Sequence, residues 1–217
     1  MNQPSNAYTG FATLFDAGGE YNRTSFLIRM AMANAATMTL VLVKAVHAVG
    51  RSYTVDVQPM VHQVDGAGNA TSHGTIFAMP VWRLQGGTAA IVVVPAVGDI
   101  GLAVFAHSDI SGVKRAKKPT TPGSARRLDW SDGVYLGGVL NADPAQSIVM
   151  DGANITINAV GALTINAPSG ATIAGDLQVN GKITATGEGT FNGGHTVSAH
   201  KHGGVTTGSG TSGTPSG

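Results

Sequence analysis

Hydrophobic and polar residues change their spacing several times along the chain, and each spacing predicts a different element. Residues 21–36 have apolar side chains three and four positions apart, the spacing of one face of an α-helix. Five later segments are rich in β-branched residues and are separated by glycine, proline and aspartate, which is typical of strands and turns. These segments are residues 39–46, 53–61, 75–84, 89–94 and 100–106. The first half of the chain is therefore predicted to be a helix followed by five strands.

Five short strands in close succession favour a small closed or sandwich-like β-domain. The OB-fold is a five-stranded Greek-key barrel, and it is the fold that this number of strands favours. The helix in front would pack on the barrel or link it to a neighbour. We therefore predict a mainly β protein, with an N-terminal helix and OB-fold domain over residues 1–112.

A different pattern, a regular alternation, begins at Ser147. Apolar side chains occupy odd-numbered positions with mostly polar residues between them, so each short segment has one apolar face. These positions are Ala153, Ile155, Ile157, Ala159, Leu163, Ile165, Ala167, Ala171, Ile173, Leu177, Val179, Ile183 and Ala185. Glycines interrupt the run every few residues, so no segment is long enough to form a core alone. Three chains wound about one axis would bury these positions and leave no strand edge open, which predicts a trimeric β-helix over residues 147–192.

Two histidines follow the alternating run in a tail of glycine, serine and threonine. His200 and His202 lie two positions apart, so a strand would point both imidazoles to one side. Two nitrogens do not complete a metal shell, whereas three chains on a threefold axis would supply six, enough for an octahedral site. Imidazole suits iron, nickel, cobalt and zinc, but zinc prefers four ligands. We predict a metal-binding apex over residues 193–217, with His200 and His202 as its ligands.

The two histidines do not share the odd-numbered positions of the apolar side chains that precede them. His200 and His202 are even-numbered, so the strand must twist near residues 197–199 to turn them inward. His195 is odd-numbered, and we interpret it as an axial packing or polar residue. The other histidines have no partner at metal or catalytic spacing and are interpreted as surface or core residues. They are His47, His62, His73 and His107.

Composition adds a basic segment to a chain with few charges. Six of the 13 lysines and arginines lie between Val113 and Asp132, without an aromatic residue before Trp130. We interpret residues 113–146 as a basic linker and the start of the β-helical shaft. The linker would rest between domains or on acidic surfaces of partner subunits, and a nucleic-acid patch is the alternative. Charged residues make up only 12%, and the mean hydropathy is +0.12, which favours burial of apolar surface between subunits.

Several other classes of protein are disfavoured. The chain has no cysteine, which excludes disulfides and thiolate metal sites. The polar N-terminus predicts no secretory signal, and the apolar stretch at residues 38–49 is too short to span a bilayer. The G-x-G-x-x-G at residues 208–213 lies in the glycine-rich tail and not between a strand and a helix. With no Walker A, G-x-S-x-G or H-E-x-x-H motif, we do not expect an enzyme.

Two stretches of the sequence, together with the order of the predicted parts, resemble a known family. The first is Phe105-Ala106-His107-Ser108-Asp109-Ile110, continued after the basic residues by Pro122-Gly123-Ser124-Ala125-Arg126-Arg127-Leu128-Asp129-Trp130-Ser131-Asp132. The second runs from Gly194 to Pro215 and contains His200-Lys201-His202-Gly203-Gly204-Val205 and Gly210-Thr211-Ser212-Gly213. They resemble the central baseplate spike, the membrane-piercing tail-tip protein of contractile-tailed bacteriophages.

This resemblance implies a homotrimer with an OB-fold domain, a β-helical shaft and a pointed apex. At the apex, His200 and His202 of each chain would bind one iron ion through six nitrogens. The resemblance also implies tail hub and baseplate proteins as partners and a transient contact with the host outer membrane. The protein would lie at the tail tip of a virion assembled in the host cytoplasm, and no nucleic-acid partner is expected. Since no segment is long enough for the lysozyme domain of some members, we expect a non-enzymatic piercing function.

Two alternatives have distinct sequence requirements. A trimeric receptor- or carbohydrate-binding tail fibre should expose aromatic side chains at its tip, and no aromatic residue follows Phe191. A small glycan hydrolase needs paired acids, and only Asp176 and Glu188 follow Asp151. The spike is therefore the favoured interpretation, and the fibre is the alternative.

Overall fold

Antiparallel strands make up most of the regular structure, which confirms the prediction of a mainly β protein. The computed structural model describes residues 18–33, 35–64, 69–191, 195–196 and 208. The chain divides into two units, Met1–Asn158 and Ala159–Gly217, which are described separately. The strands are β1 (Met38–Val49), β2 (Ser52–Pro59), β3 (Gln63–Val64), β4 (Ala70–Thr71), β5 (Ile76–Pro80), β6 (Leu84–Gly86), β7 (Ala89–Ile91), β8 (Ile100–Phe105), β9 (Gly133–Gly138), β10 (Ser147–Asp151), β11 (Asn154–Asn158), β12 (Thr190–Phe191) and β13 (His195–Thr196).

The N-terminal helix, α1, spans Glu20–Ala33. It ends before residue 36, at which the apolar spacing predicts the end of the helix. Ala36 instead belongs to the core, with 2% of its surface exposed. Its backbone N–H donates to the carbonyl of Leu128 at 2.8 Å, so it is not available to a helical carbonyl. Ala36 thus anchors the extended chain that leads into β1.

Five strands form one sheet in the order β5-β2-β1-β8-β9. All neighbouring strands in this sheet are antiparallel. Beyond β5, Val81 forms a parallel bridge with Tyr135 of β9, and the N–H of Trp82 donates to the Tyr135 carbonyl at 2.7 Å. The residues that follow the edge strand β5 therefore pair with β9, the strand at the other edge of the sheet.

The core lies on one face of this sheet. Alternate residues point to the same side of a strand, so buried residues recur two positions apart, as Val41 and Val43 do in β1. The buried apolar residues are Ala36, Val41, Val43, Val55, Val57, Met79, Ala103, Phe105 and Tyr135. Every strand of the sheet contributes to this core, as expected of strands with one buried face.

Two glycines leave room for large core side chains. A Cβ on Gly101 would overlap the ring of Tyr135, and a Cβ on Gly133 would lie 2.5 Å from Met79 Cε. Interiors of this density do not accept an added carbon without displacing their neighbours.

We expect Gly101→Ala to lower the free energy of unfolding by about 1–3 kcal/mol, because overpacking displaces Tyr135. Urea denaturation of the purified variant measures this loss. Gly74→Ala is the matched control, since a Cβ there meets nothing within 4 Å. Equal losses in the two variants would show that the effect does not come from the contact with Tyr135.

The strand predicted over residues 75–84 is wrong in its extent, because β5 ends at Pro80. The N–H of Val81 still donates to the Tyr53 carbonyl of β2 at 3.1 Å, and the N–H of Trp82 then donates to the Tyr135 carbonyl of β9. Residues 84–86 instead pair with β7 around Gly87, whose φ of 54° suits glycine. The hairpin β6–β7 therefore takes residue 84 from the first predicted strand, and its second strand covers residues 89–91 of the strand predicted over residues 89–94.

The basic segment contains a short helix that no pattern in the sequence predicts. This helix, α2, spans Ser111–Ala116 and ends at Lys117 in a left-handed conformation, with φ of 53°. The prolines and glycines around it favour a loop, and the helix is too short to show a periodic apolar face. It places several of the basic side chains on one short element.

The unit Ala159–Gly217 has little regular structure in its described part. Residues 159–189 form neither helix nor strand. At their end, β12 pairs with β13 through Thr190 opposite Thr196 and Phe191 opposite His195.

Candidate functional site

Residues 148–188 expose apolar side chains at regular intervals and include no buried residue. The large exposed side chains are Ile148, Val149, Met150, Ile155, Ile157, Val160, Leu163, Ile165, Ile173, Leu177, Val179 and Ile183. We call residues 148–188 the apolar run. Monomeric soluble proteins rarely expose so many apolar residues in succession, and such surfaces mark sites of association.

The first part of the apolar run is the hairpin β10–β11, which has an apolar face and a polar face. Ile148 lies opposite Ile157, and Met150 lies opposite Ile155, so the four side chains share one face. Each of them is more than half exposed. The other face carries Val149 and five polar residues, namely Ser147, Asp151, Asn154, Thr156 and Asn158. The hairpin thus presents an apolar surface that nothing in its own unit covers.

The second part of the apolar run continues this composition without strands. Its apolar side chains are between 43% and 75% exposed, so the unit Ala159–Gly217 provides no core for them in its described part. No strand pairs with residues 159–189, and the backbone groups there have few partners within the described chain. A matching surface for this segment must supply both apolar contact and backbone hydrogen bonds.

The predicted metal ligands, His200 and His202, lie outside the described residues. His195 is placed only through its backbone, in β13. Within the described ranges, no group of three or more His, Asp or Glu side chains is placed to hold a metal ion. The metal site therefore stays a prediction from the sequence.

Three of the other four histidines have ordinary neighbours in the described structure. His47 Nε2 lies 2.9 Å from Asp56 Oδ2, in an exposed pair. The ring of His73 lies 4.9 Å from that of Trp130, centroid to centroid. His107 contacts the hydroxyl of the serine that follows it. In the described structure none of the three faces a second histidine.

A buried ion-pair cluster joins the two ends of the basic segment. Arg126 Nη2 lies 2.9 Å from Asp109 Oδ1, and Arg126 also binds Asp132 through Nε and Nη2, each at 3.2 Å. Both carboxylates are buried, with side chains only 2% exposed. Because Asp109 precedes the segment and Asp132 ends it, this cluster holds the intervening chain against the sheet.

Hydrogen bonds from the backbone and from serine complete the cluster. Asp109 accepts from the N–H of Ser111 at 2.8 Å and from Ser124 Oγ at 2.7 Å. Asp132 Oδ1 accepts from the N–H of Ile110 at 3.0 Å. These hydrogen bonds and the ion pairs with Arg126 hold both buried carboxylates in place.

No pattern in the sequence predicts these ion pairs. Asp109 and Arg126 are 17 positions apart, beyond the range of any local pattern. The one available signal is a basic residue between two acidic motifs, Ser108-Asp109 and Ser131-Asp132.

Asp109 makes stability depend on pH in the acid range. Hydrogen bonds from Ser111, then from Ser124, lower its pKa from 3.8 to about 2. A lowered pKa in the folded state adds stability above the unfolded value, and this stability is lost as pH falls through the folded value. We therefore expect Asp109→Asn to remove part of the decrease in unfolding free energy between about pH 4 and pH 2.

Urea denaturation across this pH range measures the effect. Asp143→Asn is the control, because Asp143 is exposed. If Asp109→Asn and the wild type show the same pH dependence, the carboxylate has no such role.

Comparison with known proteins adds no family. No protein-family model matches the chain, and no curated protein matches it. None of the helices in the described part of the chain is long and apolar enough to cross a membrane. The features of the chain that bear on its function are therefore the apolar run, the strand order and the residues of the sequence resemblance.

Proposed function

We propose that the chain forms a non-enzymatic homotrimeric spike at the tip of a contractile phage tail, and that contraction drives its apex through the host outer membrane. The observation that carries this proposal is the apolar run, where apolar positions alternate and no residue between 148 and 188 is buried. One chain cannot bury these positions, whereas three copies around a common axis can. Each buried isoleucine or methionine would contribute about 1.5–3 kcal/mol.

The strand order of the main sheet supports an OB-fold for the N-terminal domain. β1 pairs with both β2 and β8, β2 pairs with β5, and β8 pairs with β9. The parallel bridge between Val81 and Tyr135 relates β5 to β9. Taken as five strands of one barrel, they follow the Greek-key connection of an OB-fold. In the proposed spike, this domain attaches to the tail hub and baseplate proteins.

In the proposed shaft, the hairpin β10–β11 turns its four apolar residues to the axis and its polar face to water. Pairing between chains supplies partners for the backbone groups of residues 159–189, so no strand edge remains open. A closed structure of this kind resists bending because every backbone group is hydrogen-bonded. Sheath contraction supplies the mechanical work, and the protein needs no catalytic group.

The proposed apex uses His200 and His202 of each chain. Their chemistry fits iron, because six imidazole nitrogens form a complete octahedral shell and leave no position for substrate. When bound, the ion cross-links three chain ends that have almost no apolar side chains. Because the ligands must be neutral imidazoles, we expect the site to release its metal as pH falls below about 6.

Measuring molecular mass and metal content on one sample tests this architecture. Light scattering should give three times the chain mass of 21.9 kDa, and elemental analysis should give one iron per trimer. A metal-free monomer would contradict the proposal. A trimer with a different metal would support the spike and identify another ion at the apex.

The location of the protein tests its role. Antibody labelling of tail particles in electron micrographs should place the chain at the axial tip of the tail. The alternative, a receptor- or carbohydrate-binding fibre, would place it on peripheral fibres and make the purified trimer bind saturably to intact host cells. Either result would replace the piercing role by recognition.

A further inference from the structure

An open pocket of about 390 Å³ in the unit Met1–Asn158 has four cationic side chains in its lining and no acidic side chain. These are Arg51, Arg83, Lys114 and Lys117. We call it the basic pocket. Four positive charges around a small volume repel one another, and an anion bound between them would offset this repulsion.

Three separate parts of the chain bring these side chains together. Arg51 lies in the turn between β1 and β2, next to Gly50, whose φ is 62°. Arg83 lies between β5 and β6. Lys114 belongs to α2, and Lys117 caps its C-terminal end. The pocket thus gathers two lysines of the basic segment with two arginines more than 30 positions before them in the chain.

Neutral groups hold Arg83 in place. Its Nη1 donates to the carbonyl of Arg51 at 2.8 Å and to Ser52 Oγ at 3.1 Å, and its Nε donates to Gln85 Oε1. None of these acceptors carries a charge. The guanidinium is therefore positioned beside the pocket without being neutralised.

Lys114 is also fixed without a counter-ion of its own. Its Nζ donates to the carbonyl of Ser131 at 3.0 Å. Burial lowers the pKa of Lys114, and the charge of Arg126 opposes protonation further, whereas Asp132 and Asp109 favour it. Both carboxylates are already bound to Arg126. Across the described residues, no ion pair involves any of the four cations of the basic pocket.

We propose that the basic pocket binds a phosphate group, either as the free ion or as a monoester. A phosphate carries a charge of about −1.5 to −2 at neutral pH and has three strong acceptor oxygens, so it balances more of this charge than a carboxylate does. Arginine forks bind such oxygens in pairs. Trp82 and Val93, both exposed, also line the pocket and offer apolar contact to the organic part of a monoester.

Calorimetric titration of the full-length protein with inorganic phosphate, at constant ionic strength, tests the site. We expect saturable binding by the wild type. Arg51→Gln with Lys117→Gln should weaken it by about tenfold or more, because the variant removes two of the four positive charges around the anion. Both residues are exposed, so the variant should fold, which circular dichroism verifies.

Lys118→Gln is the matched control. It removes one positive charge next to Lys117, from a residue that does not line the pocket. Its affinity for phosphate should stay within about twofold of the wild type, since a screened surface charge contributes little. Equal weakening by Lys118→Gln would overturn the proposal, because binding would then reflect only the general positive field of the segment.

Two further titrations identify the source of the phosphate. One uses a soluble sugar phosphate, and the other uses phosphatidylcholine vesicles containing phosphatidic acid. Tighter binding in one of them, lost in Arg51→Gln with Lys117→Gln, supports the pocket and assigns a soluble ester or a lipid headgroup. If neither ligand nor inorganic phosphate binds saturably to the wild type, the proposal is wrong.

Discussion

Ile157→Asp is expected to convert the proposed trimer into monomers. The substitution places three carboxylates in an apolar axis, one from each chain. Each copy loses about 1.5–3 kcal/mol of isoleucine burial, and an unpaired buried charge costs several kcal/mol more. Light scattering over a dilution series measures the change in mass. The isolated N-terminal unit has its own core, so the monomer should retain the sheet signal in circular dichroism.

Thr156→Asp provides the matched control for this experiment. Thr156 neighbours Ile157 in β11 but points to the polar face, opposite Val149. The same charge added there faces water in the proposed shaft, so the trimer should persist. Dissociation of both variants to the same extent would contradict the proposed orientation of the hairpin, and a monomeric wild type would contradict the trimer itself.

Replacing His200 and His202 together by alanine is expected to abolish iron binding and leave the trimer formed. All six nitrogen ligands disappear, so the metal content should fall from one ion per trimer to none. The apolar run is unchanged, so the mass in solution should stay that of three chains. Elemental analysis and light scattering on one sample measure both quantities, and limited proteolysis reports the loosened chain ends.

His195→Ala separates the ligands from a nearby histidine. We interpret His195 as an axial packing or polar residue, so this variant should keep one iron per trimer. Full metal occupancy in the double variant of His200 and His202 would show that these residues are not the ligands. Loss of iron in His195→Ala would instead add His195 to the site.

Local patterns predict β1, β2, β5 and β8 of the main sheet, whereas β9 lies outside the predicted strands. In β2 the sequence alternates as the buried valines do, whereas β1 is recognised by a continuous apolar stretch of which only Val41 and Val43 are buried. Such a pattern depends only on neighbouring residues, so one sequence is sufficient to read it. The same reasoning predicts the strands of the hairpin β10–β11, whose alternation continues along the apolar run.

Features that depend on distant residues could not be predicted. The cluster of Asp109, Arg126 and Asp132 forms across the basic segment, and no spacing in the sequence indicates that they meet. The hydrogen bond from Arg83 to the Arg51 carbonyl spans 32 positions. Helix α2 is too short to have a recognisable period. In each case, the tertiary fold determines the contact.

The exposure of residues 148–188 in a single chain implies that the proposed trimer assembles in two steps. We expect the N-terminal unit to fold before the chains associate, because it has its own core. In the proposed trimer the apolar run would gain its stability only when three chains meet, so its ordering would be a concentration-dependent step. Association of the N-terminal units would raise the local concentration of the three runs and accelerate this step. The uneven distances between the glycine interruptions then disfavour a shifted alignment, since a slip of two residues would keep the apolar faces aligned but mismatch the turns.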